Sequence, residues 1–482
     1  MLELYGMHAR LGRLRGAESE SSLPRQFVSA TRGRGANPMT SLGPRPASAV
    51  QSAPAMASRI LLALSTTFVI GCGNVKPEET TNPDANPDAT TDPITDGGID
   101  APPVCAASTT LRCEGSTLVS CNELGTAEVQ TGCALRCNAT TLACEDRVDP
   151  SNGFAAQLDA AIGQPALTIT QNVFFSTTTD FNATTGTIAV GGQQVKATLV
   201  AGAGGAPEVV VLSVGTLTVA SGAKLSVFGD RAVAFTSAGD VRIAGTLEVR
   251  AGSATAAEAC LGVNSGATGA DNDVPGAGGG GFGQPGGNGG TVLGIGAGKA
   301  GGGAIGSGSL IPLRGGCSGG TDSLGGGGGG GGAGQIASAT AILVTGTISA
   351  NGIGGSVSSG GGSGGGLLLE APVVELSGGV FANGGGGGCG GFSSGASGSN
   401  SLAPALGADC GGSPGTALGG NGGAGSTAAT NGGASTNRTG SIDRAGGGGG
   451  AVGRIRINTL DASIVGTGAQ SPPASVGLVA GR

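Results

Sequence analysis

The chain has 482 residues, of which 104 are Gly and only 11% are charged, with 11 Cys, one His, one Tyr and no Trp. A Gly in a helix interior costs about 0.8 to 1 kcal/mol relative to Ala, so this composition excludes a mostly helical fold. The glycines occur in clusters such as 325–332 rather than at every third position, which excludes collagen. A repetitive β structure with Gly-rich loops is compatible with both facts.

The N-terminal residues change character at Met56. Residues 1–55 contain seven Arg, no Lys and no apolar periodicity, whereas Met56–Arg59 is a short basic segment followed by mainly apolar residues 60–70. This pattern is typical of a secretory signal, and it is too short for a bilayer span of about 20 residues. We expect residues 1–55 to be a disordered, over-extended gene start and residues 56–71 to be a signal peptide. The alternative is a buried core strand that ends by chance at a Cys.

Residues 69–72 read Val-Ile-Gly-Cys and resemble the lipobox of bacterial lipoproteins. The resemblance implies that Cys72 is lipidated and becomes the mature N-terminus. Gly73, rather than Asp, is what that family shows in members sent to the outer membrane. We therefore expect a lipid anchor in the outer membrane and a chain that faces the cell exterior, with the periplasmic face as the alternative.

A linker and a small Cys-rich module follow the predicted lipidation site. Residues 72–104 are rich in Pro, Asp and Thr, which favours an extended tether. Residues 105–147 contain six cysteines, and an even number in a short exported segment predicts a disulfide framework whose connectivity stays open. Zinc is disfavoured because the segment has no C-x2-C pair and no His. We expect a structural module, with recognition as the alternative role; its cysteines are Cys105, Cys113, Cys121, Cys133, Cys137 and Cys144.

Residues 151–482 contain short segments in which apolar and small or polar residues alternate, which predicts strands with one buried face. Residues 334–352 align without gaps with residues 366–384, at an offset of 32, and residues 241–247 match residues 342–348. Residues 453–457 repeat the opening of this unit. Such repeats predict an all-β parallel β-helix, or solenoid, with an antiparallel β-sandwich as the alternative. The alternating segments are Leu217-x-Val219, Leu225-x-Val227, Val233-x-Phe235, Val241-x-Ile243 and Leu247-x-Val249.

Long Gly-rich insertions separate the repeated units, at about 252–334, 352–366 and 384–453, and residues 261–450 hold 72 Gly. These insertions are either mobile or lie as polyproline II-like strands bonded backbone to backbone, which the missing Cβ allows. We expect partial order, because the insertions lack the charge that keeps disordered chains solvated. The four remaining cysteines fall two in each long insertion, which suggests the pairs Cys260 with Cys317 and Cys389 with Cys410.

No motif in the sequence indicates a catalytic residue. Gly316–Gly320 and Gly361–Gly365 both fit G-x-S-x-G, but the chain beyond residue 71 has no His to complete a triad. Asp271, Asp273 and Asp322 could supply oxygen ligands for calcium, yet a turn role is favoured and we expect neither metal nor cofactor. The charged residues on adjacent predicted strands are expected to form a solvated surface: Asp230, Arg231, Asp240, Arg242 and Glu248.

The net charge of the chain indicates which classes of partner it can bind. Without its first 71 residues, which carry eight Arg and three Glu, the chain has 16 basic and 28 acidic residues and a formal net charge of −12. Nucleic acid is therefore not an expected partner, because phosphate contacts need clustered Lys and Arg.

The whole layout is similar to a group of Gly-rich β-solenoid surface lipoproteins of myxobacteria. The similarity lies in the lipobox, the tether, the Cys module and two segments, Asp180–Ile188 and Gly449–Asn458. It implies architecture and location and carries no activity. We expect a non-catalytic structural or adhesive protein of the cell envelope or extracellular matrix, held to the membrane by its lipid, with a surface polysaccharide or protein as candidate partner. The alternative is a polysaccharide-active β-helix enzyme, which would gather three or more charged side chains in a cleft.

Lipidation at Cys72 gives the first prediction. Metabolic labelling with a fatty-acid probe should mark the wild-type chain and leave the Cys72→Ala chain unlabelled, because the acyl groups attach at this residue. A Cys105→Ala chain, which retains Cys72, should keep its label. Equal labelling of the Cys72→Ala chain would refute the assignment.

Overall fold

A computed structural model describes residues 103–202, 206–250, 274–411, 416–435 and 443–482, which belong to one compact unit, Thr95–Arg482. These residues are nearly all β. The expected gene start, the signal peptide and Cys72 lie outside the described residues, as do residues 73–102 of the tether. The same holds for Asp271, Asp273 and Cys260.

The Cys-rich module is held by three disulfides, Cys105–Cys121, Cys113–Cys137 and Cys133–Cys144. Its first three strands form an antiparallel sheet and the last two form a hairpin. The predicted disulfide-rich module is thus confirmed, and its connectivity, which the sequence left open, is defined. The strands are β1 (Thr110–Glu114), β2 (Thr117–Cys121), β3 (Glu128–Gly132), β4 (Arg136–Asn138) and β5 (Ala143–Glu145).

A connecting segment leads from the module to the main body. It contains β6 (Val148–Asp149), a 3-10 turn (Ser151–Gly153) and the short helix α1 (Ala155–Ala160). The body then opens with β7 (Leu167–Ile169), β8 (Val173–Ser176), β9 (Phe181–Asn182), β10 (Thr187–Val190) and β11 (Gln193–Val200).

From Val209 onward the chain repeats a unit of three strands. The first strand of each unit joins a wide sheet, the second a second sheet and the third a third sheet, and neighbouring units pair in parallel. Strands β9 to β11 extend the wide sheet in antiparallel order, while β7 and β8 begin the other two sheets. The units are β12 (Val209–Val214), β13 (Leu217–Val219), β14 (Lys224–Phe228); β15 (Ala232–Ser237), β16 (Val241–Ile243), β17 (Thr246–Val249); β18 (Ala333–Ser338), β19 (Ala341–Val344), β20 (Thr347–Ser349); and β21 (Gly366–Glu370), β22 (Val373–Leu376), β23 (Gly379–Phe381).

The C-terminal strands complete these sheets. They are β24 (Arg454–Thr459), β25 (Ala469–Ser471), β26 (Ser475–Leu478) and β27 (Ala480–Gly481). Strands β24 and β26 end the wide sheet, β25 ends the third sheet, and β27 pairs with β6.

The alternating segments lie in β13 to β17, and their apolar residues all belong to one buried cluster that the three sheets share. Within it, the rings of Phe175 and Phe235 meet edge to face, with centroids 6.5 Å apart. The predicted strands are therefore confirmed, because each places its apolar residues on the face that turns inward.

The predicted register of the repeats is confirmed in the second and third sheets and is wrong by one residue in the wide sheet. Val241 pairs with Ile342, and the offset between β19 and β22 is 32 residues, as expected. In the wide sheet, however, Ile336 pairs with Leu369 rather than with Leu368. Three residues separate Ala337 from Ala341, whereas two separate Glu370 from Val373, so a gapless alignment cannot follow both strands. A shift by one residue moves a side chain to the other face of a sheet.

The wide sheet also differs from the prediction that one face is buried. Every residue of β12, β15, β18 and β21 is buried. Outward-facing Val211, Ala234 and Leu368 pack in a second apolar cluster that includes Phe154 and Phe282. Residues of the connecting segment and of the first Gly-rich insertion therefore cover the outer face.

All three Gly-rich insertions leave the sheets at the same corner. They connect the third strand of one unit to the first strand of the next, as residues 250–332, 350–365 and 382–453. The described residues of these insertions form one body, which we call the Gly-rich bundle. Because the insertions share a corner, segments far apart in sequence lie side by side.

Lateral backbone hydrogen bonds with a three-residue period hold the bundle together. In the central segment 446–451, successive N–H groups donate to three different segments: 430–433, 385–388 and 277–280. The carbonyl groups accept from three others: 287–290, 361–364 and 420–423. A period of three is that of the polyproline II helix, which makes no internal hydrogen bonds. The described residues of the insertions thus lie as polyproline II-like strands bonded backbone to backbone, which is one of the two arrangements considered from the sequence.

This packing explains the Gly content. A Cβ on Gly448 would clash with the carbonyl oxygen of Gly287, and a Cβ on Gly446 would clash with that of Leu418. Both positions are fully surrounded by backbone, so only a hydrogen atom fits. The glycines of the bundle are therefore a packing requirement.

The substitution Gly448→Ala should lower the free energy of unfolding by about 3 kcal/mol or more, because the methyl group forces the surrounding backbones apart. Gly326→Ala is the matched control, since its Cβ would meet no heavy atom within 4 Å, and its effect should stay within about 1 kcal/mol. Denaturant unfolding of both chains measures the difference. Equal stability of the two variants would contradict the packing described here.

Candidate functional site

The serines of both G-x-S-x-G matches are buried in the Gly-rich bundle. Ser363 is completely buried, and its Oγ accepts a hydrogen bond of 2.8 Å from the Cys317 N–H. Ser318 is buried as well. These serines fill positions in the packed backbone of the bundle.

The candidate calcium ligand Asp322 shapes a turn. Its Oδ1 accepts the N–H groups of Leu324 and Gly325, while partial burial raises the pKa of the carboxyl. Within the described part of the chain, no three His, Cys, Asp or Glu residues are grouped closely enough to hold a metal ion.

The structure defines the disulfide partners of two of the four remaining cysteines. Cys389 and Cys410 are bonded to each other, as predicted. Cys317 is also in a disulfide, and Cys260, its expected partner, lies outside the described residues.

The five charged residues singled out in the sequence do not come together. Arg231 pairs with Glu208 at 3.0 Å, and Arg242 pairs with Asp240 at 2.6 Å on a different sheet. Asp230 is exposed. These side chains form separate surface pairs, so their arrangement is that of a solvated surface.

The fifth residue, Glu248, lies in a trio on the outer surface of the third sheet. It accepts from Lys224 at 2.6 Å and from Arg250. Burial alone would raise the pKa of Glu248, but the hydrogen bonds from these two cations outweigh it and lower the pKa. The trio therefore contains an ionised carboxylate whose charge is balanced by two neighbours, which suits a stable surface better than a proton-transfer site.

Three charged side chains do line one cavity, between the Cys-rich module and the wide-sheet turns. The cavity measures about 290 Å³ and has an apolar lining that includes Leu135, Val148, Leu158 and Leu460. Its charged residues are Asp146, Arg147 and Asp159.

These charges are already engaged in holding the module to the body. Asp159 accepts from Arg482 at 2.7 Å and from Arg147 at 2.8 Å, and the Arg482 bond is the main reason that its pKa is lowered. Asp146 accepts the N–H of Ala134. The cavity is near the lower end of the size of small-molecule sites, and it contains no acid or base poised for transfer.

The segment 148–157, which we call the strap, crosses the outer face of the wide sheet. At one end β6 pairs with β27, and at the other end the carbonyl oxygen of Gln157 accepts from Ser213 on β12 and Thr236 on β15. Between these ends, Asn152 donates to Gln335 on β18 at 2.9 Å. The strap thus binds several units of the repeat together.

Glu370 lies at the centre of the strap contacts and is 1% exposed. Its carboxylate accepts four hydrogen bonds, from the Ser151 N–H (3.0 Å), the Ser151 hydroxyl (2.6 Å), Gln335 Nε2 (2.7 Å) and Asn458 Nδ2 (2.8 Å). Burial raises the pKa of this carboxyl. No motif in the sequence marks Glu370; its only signal is an acidic residue directly after Leu367–Leu369.

Comparison with protein-family models, with curated proteins and with solved structures finds no match to this chain. Among the described residues, no helix has the length and apolarity needed to cross a membrane.

Replacing Glu370 with Ala should lower the free energy of unfolding by about 2 kcal/mol at neutral pH, because the buried donors of Ser151, Gln335 and Asn458 lose their acceptor. Glu375→Ala, on the next strand and half-buried, is the matched control and should cost less than about 1 kcal/mol.

The stability difference between wild type and Glu370→Ala should also depend on pH, with a sign that follows from the pKa of Glu370. Burial raises the folded-state pKa of Glu370 above its unfolded value of 4.5, so its contribution is greatest below pH 4.5 and declines as pH rises through the folded pKa. The stability difference between wild type and Glu370→Ala should therefore be larger near pH 4 than near pH 8. A difference that grows with pH would contradict this assignment.

Proposed function

We propose that the protein is a non-catalytic surface lipoprotein of the outer membrane, with a structural or adhesive role and a parallel β-helix as its body. The observation that carries the proposal is the Gly-rich bundle. Three insertions from one corner of the sheets form a lattice of backbone hydrogen bonds, which serves rigidity and surface area rather than chemistry.

The sheet topology supports the β-helix. Each unit contributes one strand to each of three parallel sheets, and the inward residues of all three belong to one apolar cluster. A unit of this kind cannot bury its apolar residues alone, so stacking on its neighbours stabilises it.

The composition of the bundle supports an adhesive or matrix role. Residues 350–365 and 382–408 contain no Asp, Glu, Lys or Arg. Their exposed residues include Phe392, Leu402 and Leu406. These two segments present small and apolar residues and carry no charge of their own, which suits contact with a neutral matrix polysaccharide or with another envelope protein.

The predicted lipid at Cys72 and the tether up to residue 104 complete the proposal. A polyproline II-like tether extends by about 3 Å per residue, which is enough to hold the body away from the bilayer. The membrane is then a partner through the lipid alone, and the acidic balance disfavours nucleic acid.

Protease treatment of intact cells tests the location. The wild-type chain should fractionate with the outer membrane and be cleaved by added protease, whereas Cys72→Ala should leave the membrane fraction because it lacks the acyl anchor. A chain that resists protease until the outer membrane is opened would contradict surface exposure. A variant that stays in the membrane would contradict the anchor.

The non-catalytic role is tested by incubating the purified chain with a panel of acidic and neutral polysaccharides. We expect no change in polymer length, since the carboxylates of Glu248 and Asp159 are each held by two cationic side chains. Depolymerisation that is lost in Glu248→Gln or Asp159→Asn would refute the proposal and favour the enzyme.

A further inference from the structure

The two ends of the stack of repeat units differ in how they are covered. At the N-terminal end, β10 and β11 continue the wide sheet in antiparallel order, and their residues Ile188, Val190 and Val195 are buried in the shared apolar cluster. This hairpin acts as a cap, which repeat proteins need at their ends.

At the C-terminal end, two apolar residues of the last strand of the wide sheet are exposed. Val476 of β26 pairs with Ile457 and continues a row of inward residues, and Leu478 pairs with Thr459 in the neighbouring row. Ile457 is fully buried, but Val476 is 44% exposed and Leu478 is 59% exposed. Strand β26 is also the last strand of the wide sheet, so among the described residues no strand lies beside one edge of its backbone. An open edge beside exposed core residues is a ready template for another strand.

We propose that this C-terminal end is a self-association surface, on which a second copy of the chain pairs through β26 in antiparallel orientation. At its other edge the wide sheet ends in β9, which has two residues against the four of β26, so the best match for β26 is β26 of a second copy. Identical surfaces are self-complementary about a two-fold axis. An antiparallel pair centred on Gly477 sets Val476 opposite Leu478 of the second copy, which joins the two wide sheets and buries both apolar residues.

The charges at this end support the same orientation. Arg456 lies level with Ser475 at the start of β26, whereas Asp461 lies just beyond Thr459, which pairs with Leu478 at the other end of β26. Antiparallel pairing therefore brings each Arg456 toward Asp461 of the second copy. In a single copy the Arg456 guanidinium donates to the carbonyl of Val476 at 2.8 Å, and on pairing it turns to the facing carboxylate. The charge pattern thus favours a second copy over an uncharged partner.

This inference rests on the parallel stack and is independent of the lipid anchor. Sedimentation velocity of the full chain, in detergent if it fractionates with membranes, measures the mass over a concentration series. The wild type should form a dimer, and the double substitution Val476→Lys with Leu478→Lys should be a monomer, because four ammonium groups cannot share an apolar contact. Leu406 is an exposed apolar residue on the Gly-rich bundle, so the Leu406→Lys chain is the matched control and should remain dimeric.

A wild type that is monomeric up to about 100 μM overturns the proposal. The Kd of the dimer would then exceed about 100 μM, which is too weak for a specific pair of chains. A dimer that persists in the double-Lys chain, or one that is lost equally in Leu406→Lys, also overturns it, because the contact then lies elsewhere.

A charge-reversal cycle keeps the proposal testable if the double-Lys chain fails to fold. Asp461 is exposed and accepts hydrogen bonds from Thr459 and Ser463 of its own turn, so Asp461→Arg should keep the fold and weaken the dimer by about tenfold through Arg–Arg repulsion. Combining it with Arg456→Asp should restore the affinity, since the pair is then rebuilt in reverse. Additive losses in the combined chain would contradict the antiparallel arrangement.

Discussion

The structure depends on the close approach of backbones in the Gly-rich bundle. Each residue of segment 446–451 donates one hydrogen bond and accepts another, and the six segments around it supply all the partners. This arrangement satisfies the buried backbone groups without using a regular sheet or helix. It is possible only where no Cβ stands between the chains, so the high Gly content and the packing are one constraint.

The sheets make this bundle possible because they bring the insertions to one corner. Each insertion starts after a strand of the third sheet and ends at a strand of the wide sheet, so the parallel pairing of the repeat units fixes both ends of every insertion. The bundle in turn covers part of the wide sheet, where Phe282 packs with Leu368 in the outer apolar cluster. The Cys389–Cys410 disulfide links two neighbouring segments of the same bundle. Sheets and bundle therefore support each other, although one is built from apolar side chains and the other almost without side chains.

Sequence patterns predicted the parts of this fold that rely on side chains. The period-2 alternation gave the strands from Leu217 to Val249, and the internal repeat gave the pairing of Val241 with Ile342. The register of the wide sheet could not be read correctly, because a one-residue difference in a turn leaves no trace in an alignment without gaps. The burial of its outer face was not predicted, since the residues that cover it come from segments distant in sequence, the connecting segment and the first Gly-rich insertion. The partners of Glu370, for example, lie on the strap and on strands β18 and β24.

Lateral hydrogen bonds hold the Gly-rich bundle in one ordered arrangement. Amide hydrogen exchange of the peptide that spans residues 443–453, followed by mass spectrometry, measures the protection that these bonds give in the intact protein. Exchange should be as slow as that of the inward strands, because every N–H from 446 to 451 is buried and bonded to a neighbouring segment. Exchange at the rate of an unstructured peptide would show that the segment is not packed in this way.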